Sequence, residues 1–139
     1  MRRGFPDLLV PRAPDEEGSP GTRYLLAILA ALEDPGIGPG FIGLVRGLGT
    51  HEESRRIFLR FVGEELLGRV APQLDSDRAE ERVALAGSQL LGLVVARYVL
   101  RIPPLAGLSI EQVARTIGPS IDRYILGDLD WGGDAGGIA

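Results

Sequence analysis

The 139 residues include no cysteine and no lysine, and only one histidine and one tryptophan. Without cysteine, neither a disulfide framework nor a thiolate metal site can form. The one histidine, His51, stands in His51-Glu52-Glu53-Ser54, which lacks the second histidine of a zinc-protease helix, so no metal site is expected. A lone histidine is also a poor general base for any of the serines, and the paired carboxylates Glu52-Glu53, Glu64-Glu65 and Glu80-Glu81 are neighbours on helix faces that are usually solvated. All 15 basic residues are arginine, against 19 acidic ones, giving a net charge of -4. A bare nucleic-acid-binding domain would be basic, so nothing here draws the chain as a whole to a phosphate backbone. The missing lysines, beside abundant Ala, Gly, Leu, Arg and Val, fit a GC-rich coding bias. Long apolar runs are scarce too. Gly4-Phe5-Pro6-Asp7 interrupts before a signal-peptide core can develop, and Leu25 to Leu32 is too short to cross a bilayer. No enzyme, no cofactor, no export signal and no membrane partner are expected, and the setting expected is the cytoplasm.

One stretch stands apart. From Asp77 to Ile102 an acidic, arginine-bearing start gives way to a nearly unbroken apolar helix, in which only Ser88, Gln89 and Arg97 between Val83 and Leu100 are strongly polar. A surface helix carries one apolar stripe; this one has opposite faces to bury, which requires more than one neighbour. Ala84, Ser88, Gly92 and Ala96 recur every four residues, a row of small side chains that lets another helix approach closely, with Leu91, Val95 and Val99 beside it. The expectation is that one face packs on the rest of the chain and the other on a second copy.

The remaining chain reads as helices arranged around that one. Residues 1–21 hold four prolines and read as a leader or linker, in which Phe5, Leu8, Leu9 and Val10 could form one docking turn. Thr22 is the candidate N-cap of a first helix through Leu32, stopped by Glu33-Asp34-Pro35-Gly36. A second helix begins near Pro39. Thr50-His51-Glu52-Glu53 spells a capping box for a third, running from His51 to about Val70 and closed by Ala71-Pro72. The fourth is capped by Ser76 or Asp77 and ended by Pro103-Pro104. Ser109 and Gln112 form a second capping box, with a Leu108 to Val113 staple, for a fifth helix that Gly118-Pro119 should kink and Gly127 ends. Residues 128–139 read as a flexible tail. No segment alternates with a two-residue period, so the expected class is all-α, with five main helices in an antiparallel bundle spanning residues 22–127.

Two local patterns bear on binding. Gly38-Pro39-Gly40-Phe41-Ile42-Gly43 has the letters of a dinucleotide loop, but that mechanism needs a preceding strand and here a helix precedes it. Arg97 is the more pointed observation, because an arginine on the most apolar helix requires a partner or a bound anion. Gln89 and Tyr98 raise the same question. They are either satisfied interior groups or polar lining of a ligand cavity, with Tyr24, Phe41, Leu44, Phe58 and Phe61 as its walls.

Taken in order, Glu33-Asp34-Pro35, Thr50-His51-Glu52-Glu53, Ser88-Gln89-Leu90-Leu91-Gly92-Leu93, Ala96-Arg97-Tyr98-Val99-Leu100 with Pro104-Leu105-Ala106, and Gly118-Pro119-Ser120-Ile121-Asp122-Arg123-Tyr124 resemble the C-terminal domain of TetR-family transcriptional regulators, particularly the actinobacterial type. The resemblance covers about Gly21 to Gly127. It implies a ligand-sensing and dimerisation domain of a repressor, a homodimer whose last two long helices pair with those of the partner as a four-helix interface, and a pocket for a small hydrophobic or amphipathic effector enclosed by the earlier helices. On that basis Val113, Ile117, Ile121 and Tyr124 join the small row at the expected interface. The family carries a helix-turn-helix head ahead of this domain, which residues 1–21 cannot supply, so DNA contact is expected only through such a head. The alternative is a headless partner that pairs with an intact regulator as an antirepressor.

Overall fold

A computed structural model of the chain describes residues 18–134, and within them every regular element is helical. The expected turn at Phe5 to Val10 and the end of the tail lie outside the described residues. Helix α1 spans Pro20–Leu32, α2 Gly38–Arg46, α3 Glu52–Phe61, α4 Ala79–Val94, α5 Pro103–Ala106 and α6 Ile110–Leu126. Helix α3 continues as a nine-residue π-helical stretch, Val62–Val70, and α4 as a shorter one, Val95–Val99.

Helix α4 touches every part of the core. Leu93 meets Leu25 and Leu29 of α1 and Val113 and Ala114 of α6. Val94 meets Leu32 of α1 and Val45 of α2. Val83 meets Val70 and Ala71 at the end of the π stretch. The expectation that the rest of the chain is built around this helix therefore holds for one of its faces. By length and composition the run Ala79–Val99 could cross a membrane. Here its core-facing side chains are instead covered by α1, α2 and α6.

The helix starts follow local chemistry in some places and not in others. Ser109 Oγ accepts from the amide of Gln112 at 3.0 Å while Gln112 Oε1 accepts from the amide of Ser109 at 2.9 Å, the expected reciprocal box. The box expected at Thr50 does not form. The Thr50 hydroxyl bonds His51 Nδ1 at 2.9 Å instead, and α3 begins one residue later, at Glu52, with no side-chain cap. Ser19, not Thr22, caps α1, its Oγ accepting from the amide of Thr22 at 3.2 Å, so Pro20 occupies the first turn. Neither Ser76 nor Asp77 caps α4; Arg78 stands before it in the left-handed region at φ 52°. Pro103-Pro104 ends the α4 run as expected and also opens the short α5, which the sequence reading did not foresee.

A close backbone approach joins α1 to α6. A Cβ on Gly118 would stand 2.5 Å from Thr22 Cα and 2.6 Å from Thr22 N, and the Gly21 amide donates to Asp122 Oδ1 at 2.7 Å. Gly118 thus lets the two helices touch, and Pro119 sits inside α6 without dividing it. This contact presses Val113 and Ile121, which are 1% and 3% exposed, inward against the chain's own core. Both were expected to face a second copy; α1 already covers that side of α6.

Candidate functional site

Helices α1, α2, α3 and α4 enclose a cavity of about 290 Å³. Tyr24 comes from α1, Phe41 and Leu44 from α2, Phe58 and Phe61 from α3, and Leu90, Leu91 and Val94 from α4. These are the helix faces that a 3.6-residue apolar rhythm directs inward. The three phenylalanines form a triangle, with Phe41 5.9 Å from Phe61 edge to face, 6.2 Å from Phe58, and Phe58 6.1 Å from Phe61. None of the lining side chains is charged, and the only polar one is the phenol of Tyr24. Burial holds that phenol well above the usual tyrosine range, so it is a neutral hydroxyl at any physiological pH. Such a wall can hold an apolar body; it supplies no nucleophile and no acid or base for catalysis. Five of the eight residues expected at a ligand pocket thus converge on one cavity.

The other three do not line it. Arg97 is only 7% exposed, and its Nη1 donates to the carbonyls of Leu105 and Leu108, both at 2.9 Å. Its Nη2 donates to Glu33 Oε2 at 3.1 Å, and the Tyr98 hydroxyl donates to the same oxygen at 2.8 Å. Arg97 and Tyr98 therefore form a clasp that ties the end of α1 to the turn around α5, a satisfied interior arrangement rather than cavity lining. Burial, reinforced by the bond to Glu33, pushes the Tyr98 phenol up to about 12. Among the described residues, the Arg97 Nε is a buried side-chain nitrogen without a hydrogen-bond partner. Gln89 is exposed and leans on Ser88 at 3.4 Å, on the opposite side of α4 from the phenylalanines.

That opposite side carries the second feature. Ala84, Ser88, Gln89 and Gly92 are exposed, and a Cβ built on Gly92 meets nothing within 4 Å. Gly92 lines an open groove between α4 and α6, together with Ser88, Gln89, Leu93, Leu105, Ile117 and Ser120. Around it Leu85 and Leu108 are 36% and 38% exposed. Among the expected interface residues, Ser88, Gly92 and Ile117 come together here, and Tyr124 is half-buried further along α6. Ala96 is half-buried as well. Leu91, Val95 and Val99 lean instead on the core around Leu32 and Val45.

One functional-looking arginine escaped the sequence reading. Arg82 is 6% exposed, with Nη1 donating to the carbonyls of Tyr124 at 3.1 Å and Gly127 at 2.7 Å, and Nε to that of Asp77 at 3.2 Å. It caps the C-terminus of α6, where orphan carbonyls and the helix dipole both favour a cation. The only local signal was an arginine at an otherwise apolar register position of α4.

An all-helical chain with an apolar, uncharged cavity on one side of its central helix and an open small-residue groove on the other has the build of a ligand-binding and dimerisation domain. The family model described as "Tetracyclin repressor-like, C-terminal domain" matches residues 19–125. The chain belongs to that family. No curated protein and no solved structure matches it.

Proposed function

We propose that this domain senses a small hydrophobic or amphipathic effector in the Tyr24–Phe41–Phe58–Phe61 cavity and forms a homodimer through the outward face of α4 and α6, as part of a cytoplasmic TetR-like repressor. The observation that carries the reading is the double use of α4. Leu90, Leu91 and Val94 wall the cavity, and Ser88 and Gly92 on the same helix line the open groove. A ligand that favours one position of α4 then biases the geometry of whatever packs on the groove, and through it the spacing of two DNA-binding heads. No step of chemistry is involved.

Ligand binding is tested by fluorescence displacement of an apolar dye from the purified chain, comparing the wild type with Phe61→Ala and Gln89→Ala. The reading expects Phe61→Ala to weaken dye binding and Gln89→Ala to leave it unchanged. Equal effects of the two substitutions would contradict the assignment of the cavity.

A further inference from the structure

The aromatic cavity does not end at Tyr24. A second cavity of about 260 Å³ lies beyond it, between α1, α4 and α6, and the two share Tyr24, Leu66, Gly87 and Leu90 as common walls. The second also shares Leu74, Ile125 and Leu126 with an open depression whose remaining lining is Asp75, Ser76, Asp77 and Arg82. Three spaces therefore adjoin one another, the first two largely apolar, with Asp122 in the wall of the second, and the last polar.

Gly87 stands in the boundary common to the two largely apolar spaces. A Cβ built there has Leu66 Cδ1, at 3.8 Å, as its only near neighbour. A longer side chain at this position would project into that shared boundary. The polar mouth has a definite sign. The Arg82 guanidinium is spent on the carbonyls of Tyr124, Gly127 and Asp77, and its Nη2 lies 3.6 Å from Asp77 Oδ1. With Arg82 paired to Asp77, the carboxylate left over is that of Asp75, on an exposed residue, so the lining keeps a net negative charge. An anionic head would meet that net negative charge, since the one cation in the lining is already paired with Asp77.

Resting on the reading of the cavity as an effector site, we propose that the ligand is a linear amphiphile. Its hydrocarbon tail threads past Gly87 toward the phenylalanine triangle, and its neutral or cationic head sits at Asp75. A compact ring system would fill one apolar space; a chain uses both.

Isothermal titration of the purified chain with n-alkyl trimethylammonium ions, n-alcohols and n-carboxylates from hexyl to dodecyl, all below their aggregation concentrations, tests this, with naphthalene as the compact probe. Affinity should rise about fourfold per added methylene, the ratio expected for burying one CH₂. The dodecyl cation and alcohol should bind about tenfold tighter than dodecanoate, because like charges at the mouth repel. Gly87→Leu should abolish the gain from the longer chains and leave hexyl binding intact, while Gly87→Ala keeps the wild-type length dependence. Should Gly87→Leu fail to fold, the wild-type length series and the head-group order still decide. Naphthalene binding without a chain-length trend, or dodecanoate binding as tightly as the cation, would overturn the linear-ligand inference and leave the effector cavity standing. Absence of binding by every probe would overturn both.

Discussion

Replacing Arg97 with alanine should be among the most damaging single changes outside the apolar core. The substitution strands the carbonyls of Leu105 and Leu108, each of which now accepts from the guanidinium at 2.9 Å. A hydrogen bond from a charged donor contributes about 1.5–3 kcal/mol. The ion pair with Glu33 adds less than about 1 kcal/mol, because the Glu33 side chain is 43% exposed and water screens it. Arg97→Ala should therefore cost about 3–5 kcal/mol, enough to unfold much of a marginally stable domain. Glu33→Gln keeps an acceptor for the Tyr98 hydroxyl and should cost under about 1 kcal/mol. Arg97→Lys should fall between the two, since an ammonium lacks the planar fork that reaches three acceptors at once. Urea midpoints at one fixed protein concentration, with the m-value checked for constancy, measure all three. A loss below about 1 kcal/mol for Arg97→Ala, or an equal loss for Glu33→Gln, would refute the assignment of the clasp to the two carbonyls.

Further expectations concern packing and pH. Gly118→Ala should destabilise by about 1–3 kcal/mol despite alanine's better helix propensity, because α6 must retreat from Thr22 of α1, whereas Gly43→Ala on α2, where a Cβ meets nothing within 4 Å, should stabilise by about 0.5–1 kcal/mol. Thermal unfolding of both variants would show opposite signs; the same sign for both would be inconsistent with the close approach. The Tyr98 phenol, raised to about 12 in the fold, holds its proton more tightly there than in the unfolded chain, where it titrates near its ordinary value of about 10. Its contribution is intact below about pH 10 and lost as pH climbs toward 12, so Tyr98→Phe should flatten the alkaline decline of the urea midpoint. An unchanged slope would mean that Tyr98 is not the group responsible.

Local periodicity made the helices readable, and it also aimed Tyr24, Phe41, Leu44, Phe58 and Phe61 at one space, because each lies on the apolar stripe of its own helix. The Ser109–Gln112 box was equally local and formed as spelled. Partners distant along the chain were beyond such reading. Arg97 could be recognised as needing an acceptor, but Glu33 lies 64 residues away and the carbonyls it caps belong to a turn whose helix α5 has only four residues. Gln89 shows the opposite limit. On a helix apolar nearly all round, a polar residue gives no indication of which face it occupies, and it points outward beside Ser88 rather than into the cavity. Val113 and Ile121 mark a third limit, since the apolar stripe of α6 fits α1 as well as it would fit another copy. The Gly118 to Thr22 contact decides for α1.

Helix α4 is thus proposed to serve a ligand on one side and a second copy on the other, and the second half of that proposal is the more exposed to test. Sedimentation equilibrium of the wild type and Gly92→Leu at micromolar concentration addresses it directly, because Gly92 faces open space in the single chain and the substitution should leave its folding intact. The expected result is a particle of twice the chain mass for the wild type and a shift toward the single-chain mass for Gly92→Leu, with unchanged helicity. A wild type at the single-chain mass, or two species that dimerise equally well, would contradict it.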